Sequence, residues 1–305
     1  MAKPSKSRAK RKFLDFYPLY ILMLPGIIAT LVFAYFPMYG VQIAFKDFRS
    51  ALGIWGSPWV GMDHFIRFVT FPDFWNILRN TLSITLLDLA TFPLTVIVAL
   101  LINEIRKTSF KKTVQMISYA PHFLSTVVAA GMVRMFLARG NGVINNIIYF
   151  FGGTRIPFLE IPEYFASIFV WSGVWQHIGF GTIIYLAALA SVSPDLVEAA
   201  QIDGARRHQI IRHINIPAII PTITILFILR TGNLLSLGFE RILLLQTPLN
   251  LSASRVISTY VFEIGMEFGQ FSYAAAIDLF NNIANLIIIV SVNFIARRVG
   301  EVSLW

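Results

Sequence analysis

Six apolar runs, each long enough to cross a bilayer as a helix, take up most of this chain. They lie at about residues 17–44, 76–102, 113–137, 163–190, 217–238 and 272–296. A hydrocarbon core of roughly 30 Å takes about 20 residues of helix, so each run suffices. Composition points the same way: 56% of the 305 residues are hydrophobic and 13% are charged, with a mean hydropathy of +0.68. A soluble domain is typically about half apolar and a quarter charged, and it could not hide this much apolar surface. The expected fold class is an all-α membrane protein with six transmembrane helices and no separate soluble domain. The chain then divides into a basic tail at 1–16, a first helix with its following loop at 17–75, and a core at 76–300. Pro25 and Pro37 interrupt the first run. Membrane helices tolerate this because neighbouring helices can satisfy the freed backbone groups.

The charges give an orientation. There is no cysteine, which excludes disulfides, thiolate metal sites and cysteine nucleophiles. In such a chain the net charge of +9 reads as topology, not as a nucleic-acid surface. Lys3, Lys6, Arg8, Lys10, Arg11 and Lys12 precede the first run. A signal peptide has an apolar core of only about 7–15 residues, whereas Tyr17 to Ala44 is longer and carries no small-residue cleavage site. It is read as an uncleaved span. With six spans, both termini and the loops after spans two and four share a side. That side carries the tail, Arg106, Lys107, Lys111, Lys112, Arg206, Arg207, Arg212, Arg297 and Arg298. The other side holds Asp47, Asp63, Asp73, Glu160, Glu163, Glu240, Glu263 and Glu267. The excess of basic residues makes the first side cytoplasmic. On the outer side, Trp55, Trp59 and Trp75 fit either a docking surface or an interfacial anchor. The turn-prone Gly140-Asn141-Gly142 and Gly152-Gly153 fit an element near that dock or a plain connection with a surface helix.

One polar stretch interrupts the apolar pattern, at about 193–217. Ser193-Pro194-Asp195 is a helix start, with a side-chain oxygen at the N-cap, proline in the first turn and a carboxylate near the positive end. A short helix should follow from Leu196 to Ile202 and end at Asp203-Gly204, since glycine most easily takes the left-handed C-terminal conformation. A second helical piece with Arg206, Arg207, His208 and Arg212 returns to the membrane, where Pro217 opens span five. Local chemistry alone allows two readings: a rigid helix–turn–helix finger for another surface, or an ordinary amphipathic loop.

The order of residue types bears on that choice. Glu198-Ala199-Ala200, then Asp203-Gly204-Ala205, then Ile214 and Pro217 resembles the "EAA" loop of ATP-binding-cassette (ABC) importer permeases. Span one and its exit, "FAYFPMYGVQIAFKDF", and "DGARRHQIIRHINIPAIIPTITILFIL" resemble the carbohydrate branch, more narrowly the LplB-like polysaccharide and complex-oligosaccharide permeases. The resemblance covers most of the chain. It implies a type I importer permease fold in a bacterial cell membrane, with the helix before Gly204 as a cytoplasmic coupling helix. Glu198, Ala199, Ala200, Asp203, Gly204, Ala205 and Pro217 would then couple the chain to an ATPase. The implied partners are a second homologous permease, two cytoplasmic ATPase subunits that bind ATP and Mg, an extracellular substrate-binding protein, a carbohydrate substrate and membrane lipid.

This chain itself has no G-x-x-x-x-G-K-[ST] phosphate cradle, no H-E-x-x-H and no G-x-S-x-G elbow in its sequence. No cofactor, metal, catalytic residue or nucleic-acid partner is expected. Polar residues at membrane depth are costly and tend to be functional. The candidates for a substrate pathway are His122, Thr126, Trp175, Gln176, His177, Arg230, Asn233, Asn281, Asn282 and Asn285; each could instead bond a neighbouring helix. Arg230 is the most expensive to bury, and an acidic sugar or a partner such as Asp278 could balance it. Against the permease reading stand a self-sufficient carrier, which leaves the polar loop without a purpose, and an intramembrane enzyme, which lacks a reactive constellation.

Overall fold

The structure, a computed structural model, describes residues 16–232, 234–235 and 237–300. The basic tail, save Phe16, and Asn233 therefore lie outside the described residues. Helix α1 is Tyr17–Thr30. It runs on through a π turn at Leu31–Tyr35 and a tighter 3-10 stretch at Tyr39–Phe45. A short α2 at Asp63–Val69 follows, then α3 at Phe74–Ala90 and α4 at Phe92–Asn103, which together make one 30-residue span. Next come α5 at Thr108–Tyr119, α6 at Thr126–Leu137, α7 at Val143–Phe150 and the 29-residue α8 at Pro162–Ala190. The polar loop holds α9 at Pro194–Ile202. Span five is α10, Arg207–Thr231. The chain then forms α11 at Phe239–Leu245, α12 at Ile257–Phe262 and the 30-residue α13 at Phe271–Gly300.

Five helices are long and apolar enough to cross a membrane, and the count reaches six if the bent pair α5–α6 is one span. That pair departs from the continuous helix expected over 113–137. The chain turns by 102° between α5 and α6. Pro121 opens a 3-10 turn at Ala120–Phe123, where it cannot donate to a continuing helical ladder. Ser125 Oγ then accepts from the Val128 amide at 3.3 Å and caps a new helix. Span five also differs from its expected 217–238. It begins ten residues earlier, at Arg207, and ends at Thr231, so no separate second helical piece precedes it. A π turn at Ile211–Asn215 shifts the hydrogen-bond ladder just ahead of Pro217, and the missing proline N–H is absorbed without a break.

The core is strung along the bundle. α8 packs along α4, α10 and α3, and α13 packs on α10, α2 and the Tyr39–Phe45 stretch. One buried cluster joins Phe68, Phe74, Ile77, Tyr260, Tyr273 and Ile277. A second joins Ile84, Ala130, Phe165, Phe169, Ile242 and Leu245, and a third Leu100, Leu189 and Ile219. α1 adds no buried residue to any of them. Two ends result: a loop face with 104–107 and 191–206, and a far face with 46–73, 138–161 and 246–270. The far face is folded. Lys46 Nζ donates to the Ile54 carbonyl at 2.7 Å and lies 4.8 Å from the Trp59 ring centre. Trp55, Trp59 and Trp75 remain exposed there.

Candidate functional site

Two places gather the polar residues: the loop-face finger and a charged cavity inside the bundle. In the finger, Ser193 Oγ accepts from the Asp195 amide at 3.3 Å, and α9 starts as its sequence requires. Its end is closed by two backbone bonds, Ala205 N to Ala200 O at 2.8 Å and Gly204 N to Gln201 O at 3.1 Å. This pair is a Schellman closure, in which the residue after the cap must be left-handed. Gly204 has φ of +80°, where a Cβ costs roughly 1–2 kcal/mol. No heavy atom lies within 4 Å of the position a Cβ would take, so backbone geometry, not space, calls for glycine. The closure explains the spacing: Ala200 supplies the carbonyl, Gly204 the turn and Ala205 the returning amide.

The exposed side of α9 carries Glu198, Ala199 and Asp203, with Leu196 59% and Ile202 86% exposed. Leu196 and Ile202 thus stand bare on the same short helix as two carboxylates. Beyond Gly204 the chain enters α10 directly. The Arg206 amide donates to Gln209 Oε1 at 2.7 Å, which fixes the first turn. Pro217 lies within α10, near the start of its Ile216–Thr231 stretch. A cavity of about 620 Å³, lined among others by Glu104, Arg106, Gln201 and Arg206, separates α9 from the end of α4.

The second place is a cavity of about 400 Å³ between α3–α4, α8, α10 and α11. Asp88, Thr91, Thr95, His177, Tyr185, Arg230 and Arg241 supply its polar lining. A neighbouring space of about 300 Å³ shares Asp88, Arg230 and Arg241. Arg230 Nη2 donates to Asp88 Oδ2 at 2.7 Å and to the Asp88 carbonyl at 3.0 Å. That carbonyl stands at the turn between α3 and α4, where it also accepts from the Thr91 amide at 3.1 Å and the Thr91 hydroxyl at 2.7 Å. Asp88, and not Asp278, is thus the partner of Arg230; Asp278 instead accepts from the Asn282 amide at 3.0 Å. The cavity wall combines hydroxyl groups, one committed ion pair and a second guanidinium.

Of the nine pathway candidates among the described residues, two, His177 and Arg230, line this cavity. His122 bonds His177, Nδ1 to Nδ1 at 3.0 Å, and stacks on Phe180 with centroids 3.8 Å apart. The Gln176 amide is buried and donates to the Leu124 carbonyl at 3.0 Å, tying α8 to the bend after α5. Trp175 lines an apolar groove of about 510 Å³ between α6, α7 and α8. Thr126 is the first residue of α6. Asn285 Oδ1 accepts from the Leu235 amide at 2.9 Å, and Asn281 is buried with its Oδ1 unpartnered. Sequence reasoning overlooked Asp88, Tyr185 and Arg241. Asp88 carried a usable signal, because a carboxylate within an apolar run needs a cation.

The chain matches the family described as "Binding-protein-dependent transport system inner membrane component" over residues 91–301. It is 42% identical over 304 residues to the polygalacturonan/rhamnogalacturonan transport system permease protein YteP of Bacillus subtilis (strain 168), covering 99% of this chain and 95% of that protein. It is also 42% identical to protein LplB of the same organism, covering 94% and 91% of the two. Among solved structures it resembles a chain of a bacterial ABC transporter involved in the import of the acidic polysaccharide alginate. The TM-score is 0.89 at 39% identity, with 96% of this chain and 99% of that chain covered. A bacterial alginate ABC transporter in complex with an alginate pentasaccharide-bound periplasmic protein gives a TM-score of 0.88 at 38% identity, with the same coverage. The finger, the spans and these relatives place the chain in the family of membrane permease components of binding-protein-dependent transport systems.

Proposed function

We propose that this chain is a permease subunit of an ATP-driven bacterial importer of acidic oligo- or polysaccharides. It forms the translocation pathway with a second permease, engages cytoplasmic ATPases through α9 and receives its sugar from an extracellular binding protein. The observation that carries this reading is the finger: a Schellman-closed α9 joined through Gly204 to the unbroken 25-residue α10, whose far end bears Arg230. A displacement of α9 by a closing ATPase pair would pass along α10 as a rigid lever and reach the Arg230–Asp88 pair in the cavity wall. Glu198 and Asp203 are placed to meet basic groups of a docking groove, and Ile202 to fill it. ATP and Mg belong to the ATPase subunits, since this sequence has no phosphate cradle.

The acidic substrate is supported by the names of the relatives, which refer to polygalacturonan and alginate, and by two arginines against one aspartate in the cavity. The loop face is assigned to the cytoplasm, with both termini, by its basic residues. The far face, with its exposed tryptophans, is assigned to the binding protein. Co-purification followed by reconstitution tests the whole reading. The chain should bring down a second permease and an ATPase, and uptake of an acidic oligosaccharide into liposomes should need both ATP and loaded binding protein. Uptake by this chain alone, without ATP, would refute it.

A further inference from the structure

Arg241 is a charge that the cavity does not balance. Its guanidinium lies over the Phe169 ring, 4.3 Å from the centre. It also lies against Gly173, where a Cβ would stand about 2.5 Å from Nη1. The absence of a side chain in mid-α8 leaves room for this group, so its position is built into the packing. Yet among the described residues no carboxylate lies within ion-pair distance of Arg241, and its Nε is buried without a hydrogen-bond partner. The cavity's aspartate, Asp88, is already committed to Arg230 at 2.7 Å. The lining of Asp88, Arg230 and Arg241 thus leaves one positive charge over. A half-buried guanidinium whose Nε has no acceptor is costly, and its planar fork matches a carboxylate with two parallel bonds.

We infer that Arg241 is the specificity-determining residue of the pathway, pairing with the carboxylate of an acidic sugar unit in the cavity while Asp88 keeps Arg230 out of that role. The inference rests on the function proposed above and adds to it the residue that reads the charge. Phe169 holds the fork in place, and Thr91, Thr95 and Tyr185 line the same space, where sugar hydroxyls would sit. Because the guanidinium is held by packing instead of by an ion pair, nothing within the described chain must be broken before the sugar binds.

The test uses the complete importer in liposomes, with a uronate oligosaccharide and its methyl ester each saturating the binding protein. Removing a charge-assisted pair in Arg241→Gln should lower uronate uptake roughly 10- to 100-fold, while uptake of the uncharged ester changes by less than about 2-fold. Stimulation of ATP hydrolysis by the loaded binding protein should persist. Equal loss for both sugars, or none for either, would overturn the inference. So would loss of the second permease on purification, which would assign Arg241 to an ion pair between subunits. If Arg241→Gln fails to reach the membrane, Arg241→Lys decides. It keeps the charge without the fork, and an unchanged preference for uronate over ester would overturn the inference. Absence of uronate uptake by the unaltered importer would instead defeat the proposed function, so the two failures are distinct.

Discussion

Arg230 stands one residue from the end of α10 with its guanidinium 2.7 Å from Asp88, both side chains about one-third exposed (34% and 30%). Removing one partner of a buried pair costs about 3–5 kcal/mol, and this degree of exposure reduces the expected loss to roughly 2 kcal/mol. Arg230→Ala should therefore lower the melting temperature of the purified complex in detergent. The double variant with Asp88→Ala should recover part of the loss, with a coupling of at least about 1 kcal/mol; strict additivity would deny the pair. The sequence made the expense of Arg230 legible, because a charge inside an apolar run is conspicuous. It did not make the partner legible, since Asp88 lies 142 positions away and nothing local records that distance. Arg241 escaped notice for a related reason. It follows Gly238 and Glu240 past the expected end of span five, where charge looks ordinary, and only the fold of α11 against α6 and α8 carries it to the cavity.

At the scale of elements, short polar devices decide where the chain turns. The finger was the most legible of them, because caps and closures are written in consecutive residues. Ser193, Gly204 and Ala205 occupy the roles that their chemistry favours. The bend between α5 and α6 was less legible: Pro121 and Ser125 both signal it, but the apolar residues on either side read as one run. Gly204→Asp or Glu198→Lys should leave the protein in the membrane and abolish the coupling of ATP hydrolysis to uptake, as measured by transport per ATP consumed. Normal stoichiometry in both would count against the finger as a lever. A second device lies on the far face, where Asn145 is fully buried. Its Nδ2 faces the carbonyls of Leu137, Ala138 and Ile156, and its Oδ1 accepts from the Ile156 amide at 2.7 Å. Asn145→Ala should strand these groups, with a loss of roughly 2–4 kcal/mol visible as a lower melting temperature. An unchanged midpoint would mean that water replaces the amide.

For the whole molecule, the order of spans and the place of the polar loop were legible because membrane insertion imposes length and hydropathy on every crossing. Which spans surround the cavity was not, because apolar helices in lipid present similar surfaces on all sides. That choice is made by pairings such as α8 with α4 and α10, and by glycines such as Gly173 that let groups approach closely. In the bundle so formed, α10 runs from the exposed finger to the charged cavity that Arg230 lines. On the function proposed above, work is delivered from outside, through α9. The most direct measurement replaces residues 193–206 with a flexible Gly/Ser linker of equal length, in an importer that still inserts, and follows accumulation of the acidic sugar against its gradient. Accumulation should fall to background while ATP hydrolysis by the ATPase subunits continues; accumulation at the unaltered level would contradict the account.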